Sequence, residues 1–133
     1  MDDVILNKLA TIKRCLQRVR EEFTSEAEFK QNYTKQDSVL LNIQRACEAS
    51  IDIANYLIRV HRLGIPQSAR DSFDILAGAK LITVDISGAM KRMVGLRNIA
   101  VHDYQTLDLD IVISVIEKHL SDFEGFSAEV ISG

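Results

Sequence analysis

Three residues in the second half of the chain combine a fixed cation, a proton carrier and a phenol within eight positions. Arg97, His102 and Tyr104 occupy the string RNIAVHDY. Histidine exchanges protons near neutral pH, and a guanidinium binds phosphate or carboxylate through paired hydrogen bonds. The combination suits acid–base chemistry on an anionic substrate.

Arg97 lies in register with an apolar stripe spaced at three and four residues. The stripe consists of Ile86, Met90, Met93, Val94, Arg97 and Val101. A charge in such a seam costs several kcal/mol unless it is paired or reaches water. We therefore expect either a structural ion pair, with Glu48 or Asp52 as the carboxylate, or a seam that opens into a wet cleft.

The spacing between Arg97 and His102 limits how they can act together. Five residues on a regular helix place two side chains about 140° apart, so they converge only if the helix ends or distorts before His102. Gly95 upstream and the polar residues downstream of His102 favour such an ending. In an extended exit, His102 and Tyr104 would point the same way.

The elements that carry these residues are predicted to be helices. Apolar residues recur at three and four positions along most of the chain, and the chain has one Pro and 6% aromatic residues, which disfavours a β-fold. We predict an all-α antiparallel bundle of about five helices, with a turn and a half of helix plus loop over 25–35. Cap residues are expected at Asp37 or Ser38, at Ser68 and at Asp108.

Domain organisation and location follow from the same composition. No linker or repeat divides residues 1–133, so we predict one domain, with 125–133 as a short, frayed tail. The chain carries two cysteines and no apolar stretch of membrane length, which predicts a cytoplasmic protein without a membrane contact. The net charge of −3 argues against a wholly basic surface, yet Lys13, Arg14, Arg18 and Arg20 form a local basic cluster.

The motif Arg97-x4-His102-x-Tyr104 lies at the end of the penultimate predicted helix and includes Asn98. Together with Gln44, Arg45 and Glu48 in the second long helix and a helical bundle around them, it resembles the HEPN superfamily. The nearest branch is that of the HepT toxins, which pair with antitoxins of the minimal nucleotidyltransferase type. The resemblance covers essentially the whole chain by length and helix order.

The resemblance implies a metal-independent endoribonuclease that acts on tRNA or mRNA as a homodimer, with its motifs facing one cleft. Arg97 and His102 would be the catalytic pair, Asn98 and Asp103 supporting groups, and Tyr104 the residue that the antitoxin adenylylates. Arg45 and Glu48 would stand behind the catalytic pair. No cofactor is implied.

The implied chemistry is physically reasonable. RNA carries its own nucleophile, the 2′-hydroxyl, so the protein needs to move protons and to stabilise charge on the phosphate. One chain offers one histidine of this kind, and a dimer would supply two. His61, His102 and His119 lack the spacing of known metal sites, so no metal is predicted.

Two other hypotheses stay open at this point. The chain could be a non-catalytic helical module in which Arg97, His102 and Tyr104 bind a nucleotide or a partner protein, or it could be a purely structural dimer. RNA cleavage that depends on His102 would distinguish the endoribonuclease hypothesis from these two alternatives.

Overall fold

The computed structural model describes residues 2–133, and within this range all regular structure is helical. The prediction of an all-α bundle is confirmed. The segment around Phe29 is a helix of its own, so six helical rods form instead of five. The elements are α1 (Asp3–Glu22), α2 (Glu26–Gln31), α3 (Tyr33–Val60), α4 (Ala69–Gly78), α5 (Val84–His102), α6 (Leu109–Ser114) and α7 (Leu120–Ser132). A π-helical turn, Val115–His119, joins α6 to α7 as one rod.

The long helix α3 is the centre of the bundle. It packs against α1, α2, α4, α5 and α7. Small residues on its buried faces, Ala46, Ala49, Ser50 and Ala54, let neighbouring helices approach closely. The buried Ser50 hydroxyl donates to the carbonyl of Ala46 at 2.8 Å, so its polar group is satisfied inside the core.

Helix starts agree with two predicted caps and correct a third. Ser68 accepts a hydrogen bond from the amide of Asp71 at 3.1 Å, and Asp108 accepts from the amide of Asp110 at 2.8 Å. The prediction that α3 begins at Asp37 or Ser38 is wrong, because Asn32 caps it one turn earlier through the amide of Lys35 at 3.0 Å.

The joint between α2 and α3 explains this early start. Gln36 is buried, and its side-chain amide donates to the carbonyls of Phe29 at 2.8 Å and Lys30 at 3.2 Å. These bonds satisfy free carbonyls at the end of α2, and Gln36 can make them only from inside the first turn of α3.

The expectation of a frayed tail over 125–133 is wrong. Helix α7 continues to Ser132, and Phe126 and Val130 bury their side chains in the core. The ring of Phe126 meets that of Phe73 edge to face, with centroids 5.6 Å apart. The apolar spacing of the last helix therefore continues past Gly125, and packing holds the chain end in place.

The Glu129 carboxylate also ties the chain end to the start of α5. It accepts hydrogen bonds from the Thr83 amide at 2.7 Å and the Thr83 hydroxyl at 3.0 Å. Both cysteines, Cys15 and Cys47, are buried free thiols. Among residues 2–133, no helix is long and apolar enough to cross a membrane.

Packing of α7 predicts a strong contrast between two of its residues. Phe126→Ala should lower the free energy of unfolding by about 3–5 kcal/mol, because it leaves a cavity beside Phe73. Ile131→Ala, at a site that is 56% exposed, should change it by less than about 0.5 kcal/mol. Urea unfolding followed by circular dichroism measures both, and equal effects would contradict a docked tail.

Candidate active site at the end of helix α5

Arg97 enters the interface between α5 and α3 and forms an ion pair there. Its Nη1 lies 3.0 Å from Oε1 of Glu48, and the two side chains are 19% and 45% exposed. Asp52, the other carboxylate considered, pairs instead with Lys8 at 2.8 Å. The apolar seam of α5 thus accepts a guanidinium because α3 presents a carboxylate at the same level.

The inner side of the Arg97 guanidinium touches the core. Its Nε is buried, and no group within residues 2–133 accepts a hydrogen bond from it. The thiol of Cys47 lies beside it: burial raises the pKa of Cys47 to about 12, and the nearby Arg97 charge only partly opposes that rise. Cys47 is therefore a protonated, inert core group.

His102 is the last residue of α5, and the helix is regular up to it. The amide of Asp103 donates to the carbonyl of Ile99 at 2.8 Å, which closes the final turn. The expected ending or distortion before His102 is absent from this part of the described chain. His102 therefore points about 140° away from Arg97 around the helix axis, and the two side chains of one chain diverge.

The supporting candidates take different places. Asn98 is half-buried on α5 between the directions of Arg97 and His102, and Asp103 is exposed. The backbone carbonyl of Asp103 accepts from the amide of Thr106 at 3.1 Å and from its hydroxyl at 3.0 Å. No side-chain bond from Asp103 to His102 forms in the described structure, so Asp103 shapes the turn after α5.

Tyr104 begins a short 3₁₀ turn, Tyr104–Thr106, and is not in an extended exit. Its hydroxyl donates a hydrogen bond to Oδ1 of Asp37 on α3. Burial, together with this bond and the charge of Asp37, raises the pKa of Tyr104 to about 12. The phenol is therefore protonated at neutral pH, although the residue remains 43% exposed.

Asp37 is the site residue that the sequence analysis missed. Its position in the sequence predicts a helix cap, whereas in the structure it accepts a hydrogen bond from Tyr104, 67 residues away in the chain. No local pattern relates the two residues.

Of the remaining candidates, Arg45 is exposed on α3, one turn before Glu48. Within residues 2–133, no group of three or more His, Cys, Asp or Glu side chains is placed to hold a metal ion. The site therefore offers one half-buried cation, one exposed imidazole and one protonated phenol along the end of α5.

Comparison with known proteins finds close relatives. A family model described as "Ribonuclease HepT-like" matches residues 10–130. The mRNA nuclease HepT of Shewanella oneidensis is 60% identical over 126 residues, which are 95% of each chain. These matches confirm the resemblance expected from the sequence.

Solved structures give the same result for the fold. The tri-AMPylated HEPN toxin of Shewanella oneidensis in complex with MNT antitoxin superposes with a TM-score of 0.97 at 56% identity, covering 100% of both chains. A toxin–antitoxin crystal structure with AMP-PNP superposes with a TM-score of 0.96 at 55% identity, covering 99% of this chain and 100% of the other.

The burial of Arg97 predicts an asymmetric response to removing either partner of the ion pair. Glu48→Ala should lower the free energy of unfolding by about 1–3 kcal/mol, because it leaves a guanidinium unpaired in an apolar seam. Arg97→Met should lower the free energy of unfolding by less than about 1 kcal/mol, since water can then hydrate Glu48 and the buried Nε without a hydrogen bond is removed.

Urea unfolding of both variants measures this difference, with Asp52→Ala as the matched control on the next turn of α3. Asp52 and its partner Lys8 are both exposed, so the control should change stability by at most about 1 kcal/mol. A larger loss from Arg97→Met than from Glu48→Ala would contradict this account of the seam.

Proposed function

The chain belongs to the HepT-like ribonuclease family, and from this premise we propose that it is the toxin of a toxin–antitoxin pair that cleaves cellular RNA without a metal ion. The observation that carries the proposal is the string Arg97-x4-His102-x-Tyr104 at the end of α5 in a chain 60% identical to an mRNA nuclease. mRNA is the first candidate substrate and tRNA the alternative, and the cytoplasm is the proposed compartment.

In the proposed reaction, the 2′-hydroxyl of RNA attacks the adjacent phosphorus and the 5′-oxygen of the next nucleotide leaves. His102 takes and returns the protons, because its exposed imidazole can reach solvent-borne substrate. Arg97 stabilises the negative charge that develops on the phosphate. Asn98, which lies between these two directions on α5, is a further donor to the RNA.

The divergence of Arg97 and His102 on one regular helix supports a homodimer. A second copy facing the end of α5 can bring its own Arg97 or His102 to the same phosphate. Apolar residues suited to such an interface remain exposed nearby: Leu41 is 43%, Ile99 44% and Val101 45% exposed. A dimer would then both complete the set of catalytic groups and bury exposed apolar side chains.

Tyr104 is the proposed site of adenylylation by an antitoxin of the minimal nucleotidyltransferase type. Its phenol oxygen attacks the α-phosphorus of ATP, the bond to the β-phosphate breaks, and pyrophosphate leaves. The phenolic proton passes to Asp37, which already accepts its hydrogen bond. A phosphodiester at this position adds negative charge and bulk beside the proposed cleft and repels RNA.

The nuclease proposal predicts cleavage of total cellular RNA by purified protein in EDTA. His102→Ala should slow cleavage at least about 100-fold through loss of proton transfer. Arg97→Lys keeps the charge but loses the planar fork, and it should slow cleavage at least about tenfold. A denaturing gel measures each rate.

His61→Ala is the matched control, because His61 is exposed at the opposite end of α3 and should leave the rate unchanged. Mass spectrometry first establishes that Tyr104 is unmodified. Absence of cleavage by such protein would overturn the enzyme proposal and favour a non-catalytic binding module.

The adenylylation proposal predicts that the chain gains AMP when incubated with ATP, Mg²⁺ and the MNT antitoxin of the Shewanella oneidensis pair. Tyr104→Phe should abolish the gain, and Asp37→Asn should slow it at least about tenfold, because Asp37 accepts the phenolic proton in the proposed step. Tyr33→Phe, at a site 79% exposed, is the control. Intact mass measures the product, and equal modification of Tyr104→Phe would refute the assignment.

A further inference from the structure

A groove of about 460 Å³ lies between α1 and α3, next to the Arg97–Glu48 pair. Six of its ten lining residues are charged. The basic ones are Lys8, Arg14, Arg18 and Arg45, and the acidic ones are Glu48 and Asp52. Four basic residues against two acidic ones give the groove a net positive lining, which suits a small or strand-like polyanion.

Both acidic residues of the groove are already engaged. Asp52 pairs with Lys8 at 2.8 Å, and Glu48 pairs with Arg97 at 3.0 Å. Arg14, Arg18 and Arg45 have no carboxylate within 4 Å among residues 2–133. Three unneutralised guanidinium groups thus line one groove of a chain whose net charge is −3.

These three arginines act on the same space. Arg14 and Arg18 are four residues apart on α1 and share its face, about 6 Å apart along the axis. Arg45 approaches from α3. Burial raises the pKa of Cys15 at the groove floor, and the charges of Arg14 and Arg45 both partly oppose that rise. Like charges held together in this way cost stability unless an anion enters between them.

We propose that this groove binds the sugar–phosphate backbone of RNA and leads the strand to Arg97. The inference rests on the proposed nuclease function and assigns the substrate path for that site. Glu48 lines the groove one helical turn after Arg45 and also contacts Arg97, so the groove adjoins Arg97 along its side. A row of guanidinium groups along one helix and a third across from it follows successive phosphates without reading base sequence.

The first experiment measures binding of a fluorescein-labelled single-stranded RNA of mixed sequence between 0.1 and 1 M salt. All proteins carry His102→Ala, so that the RNA remains intact. The test variant adds Arg14→Gln, Arg18→Gln and Arg45→Gln. The control instead adds Arg62→Gln, Lys80→Gln and Lys118→Gln, which remove the same charge at exposed positions outside the groove.

Each lost phosphate contact should reduce the slope of log K against log salt by about 0.7. The dependence of log K on log salt should therefore be less steep by about 2 for the test variant than for the parent. The test variant should bind RNA about 100-fold more weakly than the parent at 0.1 M salt, with little difference at 1 M. The control should stay close to the parent. Circular dichroism confirms that each variant is folded, and equal slopes for test and control would overturn the proposal.

The second experiment measures cleavage with His102 restored. A variant with only Arg14→Gln and Arg18→Gln, the two arginines on α1, should raise KM for a long RNA and leave kcat largely unchanged. It should cleave a dinucleotide at the parent rate, since that substrate is too short to reach from Arg97 to α1. If the parent protein cleaves no RNA, the proposed function fails. If cleavage of long RNA is unaffected and only MNT antitoxin binding is lost, the groove is a protein-docking surface and the RNA path is wrong.

Discussion

The geometry of the candidate site depends on one ion pair, Arg97 with Glu48, between two helices of opposite direction. A guanidinium in the seam of α5 is tolerable only where α3 places a carboxylate at the same level. A second hydrogen-bonded tie joins Tyr104, in the 3₁₀ turn after α5, to Asp37, which lies earlier on α3 than Glu48. The two ties together fix the register of the end of α5 against the central helix.

The same ion pair is well suited to exchange a carboxylate for a phosphate. Glu48 remains 45% exposed, so it can hydrate when Arg97 turns to an RNA phosphate. The guanidinium, which is only 19% exposed, then gains a new anion in place of the old one. On the proposed mechanism Arg97 is thus kept in position between reactions and is released at low energetic cost.

Sequence reasoning succeeded where local rules decide the outcome. The three-and-four spacing gave the helices, side-chain oxygens marked the starts at Ser68 and Asp108, and a charge in an apolar seam required a partner such as Glu48. It failed where tertiary contacts decide. Gln36 bonds to the end of α2 and so extends the start of α3 to Tyr33. Packing of Phe126 against Phe73 keeps the last turns of α7 in place, and Asp37 contacts Tyr104 across 67 residues. The periodicity of apolar residues carries no information on these contacts.

The regularity of α5 has the largest consequence for the proposed mechanism. A distorted helix end would have let one chain assemble Arg97 and His102 on a single substrate. The bond from Asp103 to Ile99 keeps the helix intact through His102, so the two groups diverge and, on the proposed mechanism, a complete site requires a facing copy. On the proposed mechanism association is then a condition for catalysis, and an AMP attached to Tyr104, two residues beyond His102, would obstruct both the second copy and the RNA strand.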